Sequence, residues 1–125
     1  MVDCRVYILD NLYRKRYNTS MKEIIFYKTI DNKCPFLEWY NLLDKSIRLI
    51  IDRRIDRIKL GNLGNYKRFD NLTEIRFKEG AGYRIYTYEY DEVVIIFLSA
   101  GDKSKQSKDI VLAKKYLQEF IERYK

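Results

Sequence analysis

The 125-residue chain contains no histidine, a single proline, two cysteines and five glycines. Each shortage excludes something. With no histidine, and with Cys4 and Cys34 far from ligand spacing, a zinc site is excluded. Two cysteines do not make a disulfide framework, which points to a reducing compartment. Long apolar runs are missing too, and no stretch approaches the length of a transmembrane helix. The run Val6–Leu9 is too short for a signal peptide, and an acid, Asp3, precedes it. No internal repeat, low-complexity segment or linker is visible. These absences leave one soluble domain, read as cytoplasmic, with no membrane association, no metal and no cofactor.

What is present is a composition able to bury a core, with 46% hydrophobic residues. Twelve tyrosines and six phenylalanines are many for this size, and tyrosine supplies apolar area with a polar tip, suited to wet interfaces and to stacking on bases. A net charge of +7 favours an acidic partner, either nucleic acid or an acidic protein. That excess is not central. Residues 66–110 carry eight basic and eight acidic side chains, whereas residues 1–65 carry thirteen and eight.

Residues 1–20 read as an extension to a domain spanning 21–125. Val6–Leu9 is a candidate short strand, and Arg14-Lys15-Arg16 is either a solvated arm or a binding element. Met21, directly before a clean strand, is a candidate translation start. Glu23 to Thr29 predicts that strand, and Asp31-Asn32 a turn. Pro35 suits the first turn of a helix, on which Phe36, Trp39, Tyr40 and Leu43 share one side. Asp44 or Ser46 is placed to cap a second helix with the stripe Ile47, Ile50, Ile51, Ile55 and Ile58, and Gly61 stops it. Its opposite face, Arg48, Asp52, Arg53, Asp56 and Arg57, reads as a solvated surface or as a contact to a nucleic-acid backbone. Tyr66–Phe69 predicts a short strand. Lys105–Tyr124 predicts a closing helix, capped by Ser104 or Ser107, with Ile110, Ala113, Leu117, Phe120, Ile121 and Tyr124 buried.

The chain is organised around residues 72–110. Glu74 to Lys78 alternates polar and apolar as a half-buried strand does. Glu79-Gly80-Ala81-Gly82 is a turn, Tyr83–Tyr90 a second strand, and Asp91-Glu92 another turn. Val93–Leu98 is continuously apolar, as in a central strand covered on both faces. Period-2 alternation puts Arg84, Tyr86, Tyr88 and Tyr90 on one face. A hairpin closing across Gly80 sets Arg76 opposite Arg84, and a register two residues away sets Lys78 there instead. Either way Arg76, Lys78 and Arg84 share a face. Like charges directly opposed destabilise a sheet unless something offsets them. Glu74 on the same face, or a bound anion, would do so. Gly101-Asp102-Lys103 then joins the central strand to a helix N-terminus, where partial positive charge favours anions.

Several blocks together resemble a known family. They are Pro35-Phe36…Glu38-Trp39, Arg54…Arg57…Leu60-Gly61-Asn62-Leu63-Gly64, Glu74-Ile75-Arg76, Gly82-Tyr83-Arg84-Ile85-Tyr86, and Gly101-Asp102-Lys103-Ser104…Gln106…Asp109-Ile110. In this order, over roughly Met21 to Phe120, the chain resembles the RelE/ParE toxin superfamily, and within it the HigB-like branch of addiction module killer proteins. The resemblance implies a RelE-like α/β (α+β) fold: a helical hairpin packed on a twisted, mainly antiparallel sheet, with a C-terminal helix. It implies a type II toxin neutralised by a helix-turn-helix antitoxin in a hetero-oligomer. Many members are metal-independent endoribonucleases that cleave mRNA on the ribosome; ParE-like members instead bind and inhibit DNA gyrase. By motif, Arg84 would stabilise the phosphate charge, Arg76 would assist it, and Lys103 would add a third cation. Glu74 stands where some members carry a lysine, as a possible general base, and Asp109 where others carry a catalytic tyrosine. Lys78, Tyr86, Tyr88 and Gln106 are the expected substrate contacts.

Overall fold

A computed structural model describes residues 21–124. The expectations for Val6–Leu9 and Arg14-Lys15-Arg16 lie outside the described residues. In chain order the elements are β1 (Glu23–Phe26), α1 (Pro35–Asn41), α2 (Lys45–Lys59), β2 (Tyr66–Phe69), β3 (Leu72–Arg76), β4 (Arg84–Glu89), β5 (Val94–Gly101), a 3₁₀ turn (Lys103–Lys105) and α3 (Gln106–Arg123). They build a mixed α+β domain with one five-stranded sheet, ordered β1-β5-β4-β3-β2. β1 runs parallel to β5, and the other neighbours are antiparallel.

Alternation along the strands sends side chains to two separate cores. Ile75, Phe77, Ile85, Ile95 and Phe97 meet Phe36 of α1 and Ile51 and Ile58 of α2. Leu72, Tyr86, Val94, Ile96 and Leu98 meet Ala113, Leu117 and Phe120 of α3. The sheet is therefore covered on both sides, which is why Val94–Leu98 is buried without interruption. Burying each such side chain contributes about 1.5–3 kcal/mol. Isoleucine and valine also suit the pleated surface, so local preference and burial agree along β5.

Turn chemistry matches the sequence. Gly80 and Gly82 take positive φ, 55° and 72°, and Phe77 N–H bonds Tyr83 O at 2.9 Å across the hairpin. Asp91 Oδ1 accepts from Val93 N–H and Val94 N–H at 2.7 and 2.8 Å, closing the β4–β5 turn. Several expectations at the ends of elements are corrected: β3 covers Leu72–Arg76 rather than Glu74–Lys78, β4 Arg84–Glu89 rather than Tyr83–Tyr90, and β5 Val94–Gly101 rather than Val93–Leu98. β1 stops at Phe26 rather than Thr29, because the chain leaves β5 into a turn in which Thr29 and Lys33 pair and Asn32 takes φ 65°. Neither Ser104 nor Ser107 caps the last helix. Asp102 instead accepts from Ser104 N–H at 2.9 Å, starting a 3₁₀ turn that feeds α3. At α2 the N-cap position is Asp44, whose side chain makes no capping bond.

One irregularity lies where β5 runs toward α3. Tyr86 pairs with Ser99 but Thr87 with Phe97, so Leu98 is an extra residue on β5. Such a bulge shifts the phase of the strand. Beyond it Ala100 faces α1 and α2, and Gly101 faces α3.

Candidate functional site

The β3–β4 register places Arg76 directly opposite Arg84. Of the two registers compatible with the sequence, the one closing across Gly80 is adopted. Two like charges in that position require compensation. Glu74, two residues earlier on β3 and fully buried, supplies it. Its Oε1 accepts from Arg76 Nε at 2.6 Å and from Arg84 Nη1 at 3.2 Å. Gln106, the first residue of α3, donates through Nε2 to Glu74 Oε2 at 3.1 Å. One buried carboxylate thus gathers donors from two strands and a helix. Its hydrogen bonds make it an organiser of the site rather than an open base.

Glu74 does not exhaust the arginines. A guanidinium has five N–H donors; Arg76 gives Glu74 only its Nε, and Arg84 only one terminal nitrogen. The Arg84 side chain is 11% exposed and that of Arg76 31%. The pair therefore sits at a boundary, anchored inside with an edge toward solvent. Such an edge suits an anion with several oxygens.

Around this pair the structure brings in Lys103 and Asp109. Lys103 is exposed on the 3₁₀ turn, and its N–H meets Ala81 O at 3.4 Å. Its Cβ lies so near Gly82 that a Cβ there would approach it to 3.3 Å. Glycine at 82 thus lets the hairpin turn and the helix entry touch. Asp109 lies one turn into α3, against the backbone of Gly101: a Cβ on Gly101 would stand 2.0 Å from Asp109 Oδ2. Only glycine permits that approach. Burial first, and then the neighbouring Asp102, push the Asp109 carboxyl above the usual carboxylate range, with Lys105 opposing. Asp102 itself is held below that range, chiefly by its hydrogen bond with the Ser104 hydroxyl.

The comparisons with known proteins add one relative. Over 93 residues the chain is 46% identical to an uncharacterized protein of Haemophilus influenzae, a match covering 72% of this chain and 93% of that one. The chain belongs to the family of that protein. No family model and no solved structure matches it.

The remaining expected contacts divide. Gln106 joins the site, but as a partner of Glu74. Lys78 lies exposed past the end of β3. Tyr86 and Tyr88 do share a face, yet Tyr86 is fully buried in the core under α3 and presents no ring for a base to stack on. Tyr88 is half-buried, edge-on to Phe120 at 6.0 Å. The stacking role expected of Tyr86 is therefore corrected, because α3 covers the face that alternation assigned to it.

One contributor had no predicted role. The Arg54 guanidinium lies over the Phe77 ring at 4.4 Å and donates from Nη1 to Arg76 O at 3.0 Å and Leu63 O at 3.4 Å. Burial pushes its pKa down. It ties α2 and the 61–64 loop to the backbone of Arg76. The available signal was Arg54 standing next to the isoleucine stripe of α2, at the edge of its apolar face.

Proposed function

We propose that this protein is the toxin of a type II toxin–antitoxin system, of the RelE/ParE superfamily and its HigB-like branch. In this reading it is a metal-independent mRNA endonuclease that works on the ribosome in the cytoplasm and is silenced by a helix-turn-helix antitoxin. The observation that carries it is the opposed Arg76–Arg84 pair held by one fully buried Glu74. The architecture supports it further, with a helix pair on a mainly antiparallel sheet and a C-terminal helix behind. No helix of the described residues is long and apolar enough to cross a membrane.

In the cleavage reaction, a ribose 2′-oxygen bonds to the adjacent phosphorus while the bond from phosphorus to the 5′-oxygen breaks. A cyclic phosphate and a free 5′-hydroxyl result. Arg84 and Arg76 neutralise the charge that builds on the phosphoryl oxygens, and Lys103 adds to the field from the helix entry. One proton leaves the 2′-hydroxyl and one reaches the 5′-oxygen. Asp109, whose carboxyl is pushed toward its neutral form, is the proton carrier on this chain. Glu74 positions the arginines.

Induced expression should arrest growth, and a co-expressed small helix-turn-helix partner should restore it. Arg84→Ala should abolish arrest by the folded protein, with a loss of cleavage on the order of 10²-fold or more. New mRNA 5′ ends inside translated codons are the expected signature. Normal growth at verified soluble expression would sink the toxin reading. A second reading, a ParE-like toxin that binds DNA gyrase without cleaving, is favoured by the neutralisation both arginines already receive from Glu74. Intact mRNA with a DNA-damage response would select it.

A further inference from the structure

Behind the Glu74 cluster lies a second polar group. Among the described residues, four buried side-chain atoms have no hydrogen-bond partner: Arg84 Nε, Tyr86 Oη, Ser99 Oγ and Asp109 Oδ2. Unsatisfied buried polar atoms are costly, so four gathered in one place call for an explanation. The sheet register gathers them. Tyr86 is paired with Glu74 on one side and with Ser99 on the other, while Arg84 is paired with Gly101, the residue on which Asp109 Oδ2 rests. Strand alternation and the bulge at Leu98 turn them all toward α3.

The set is chemically complementary. Arg84 Nε is a donor only, an ionised Asp109 accepts only, and the two hydroxyls do either. Glu74 also approaches the Tyr86 phenol and acts on it, but no contact of hydrogen-bonding geometry joins them, and Glu74 already has three side-chain donors, from Arg76, Arg84 and Gln106. Asp109 Oδ2 has none. We infer that Tyr86 is a positioning residue for Asp109. Its phenol donates to Asp109 Oδ2, directly or through one buried water, and thereby governs when that carboxyl releases its proton. Burial, Glu74 and Asp109 all push the phenol pKa up, so its O–H stays a donor at every pH at which the protein works. The charged groups that act on Asp109 are Asp102 and Lys105 at the helix entry, and those that act on the phenol are Glu74 on β3, Asp109 on α3 and Arg84 on β4. Ser99, on β5, adds a hydroxyl that does not titrate in this range.

The inference rests on the proposed role of Asp109, but its test does not. The Asp109 carboxyl can be titrated by carbon-13 NMR in the full chain and in Tyr86→Phe. The wild-type midpoint should lie above the ordinary carboxylate value, and loss of the phenol should raise it further by about one pH unit. Tyr88→Phe, further along the same strand, should leave it in place. Gly101→Ala gives a second handle should Tyr86→Phe unfold. Its Cβ evicts the carboxylate, and the Asp109 midpoint should fall toward the ordinary value. If cleavage is observed, its pH profile should move with the midpoint in Tyr86→Phe. An ordinary wild-type midpoint, or one that the folded Tyr86→Phe does not shift, overturns the inference even if the protein cleaves RNA. A shifted midpoint in a protein that cleaves nothing upholds the Tyr86–Asp109 link and overturns the nuclease reading instead.

Discussion

The two faces of the sheet use the same alternation to opposite ends. Toward α1 and α2 the strands present Ile75, Phe77, Ile85, Ile95 and Phe97, and the buried partners Phe36, Ile51 and Ile58 are all apolar. Toward α3 the core is equally apolar from Leu72 to Leu98, until the corner where β3 ends, β4 begins and α3 starts. There the fold buries Glu74, most of Arg84, and the Tyr86 and Ser99 hydroxyls. One face is built for stability. The other accepts a concentrated group of charges and unpartnered polar atoms at a single corner. Local departures from apolar packing of this kind are where function is to be sought, because the rest of the molecule must offset their cost.

The largest expected break of this contrast is Glu74→Ala. Removing the one carboxylate leaves two guanidiniums opposed across the β3–β4 pair. The expected loss is about 3–5 kcal/mol in urea denaturation, the cost of breaking a buried charge pair from one side. A loss below about 1 kcal/mol would mean that solvent already screens the arginines. On the apolar face, Ile58→Val should cost only about 1 kcal/mol, and growth arrest per folded molecule should be unchanged. A loss of arrest with the fold intact would show that the two faces are coupled.

The smallest effect is one of pH. Asp109 holds its proton more tightly folded than unfolded, since burial raises its pKa. Its contribution therefore favours the fold at low pH. It declines as pH rises from the ordinary carboxylate value through the raised one. Asp109→Asn should flatten that decline and leave the protein slightly more stable at neutral pH. Thermal melts across that window check the sign, and a steeper decline in the variant would reverse the assignment.

Much of the fold is legible in residue order. The isoleucine stripe of α2, the apolar run of β5 and the glycine turn at 80–82 each state a local preference that burial then reinforces. Arg76 and Arg84 can be set on one face from alternation alone, with Glu74 as the offset. What residue order does not carry is depth. Period 2 says which face Tyr86 takes, but not that α3 lies over it. Alternation alone therefore predicts a stacking surface where a buried phenol stands. Nor does spacing reveal that the Arg54 guanidinium reaches a backbone carbonyl across the domain.

Residue order alone gives the elements, their faces and the placing of Glu74, Arg76, Lys78 and Arg84 on one face, because these follow from local periodicity and turn chemistry. The tertiary structure adds that Arg76 stands opposite Arg84, that Glu74 takes donors from both and from Gln106 of α3, and that Asp109 rests on Gly101. Those relations depend on the bulge at Leu98 and on where the last helix docks. Both are set by packing between elements distant along the chain.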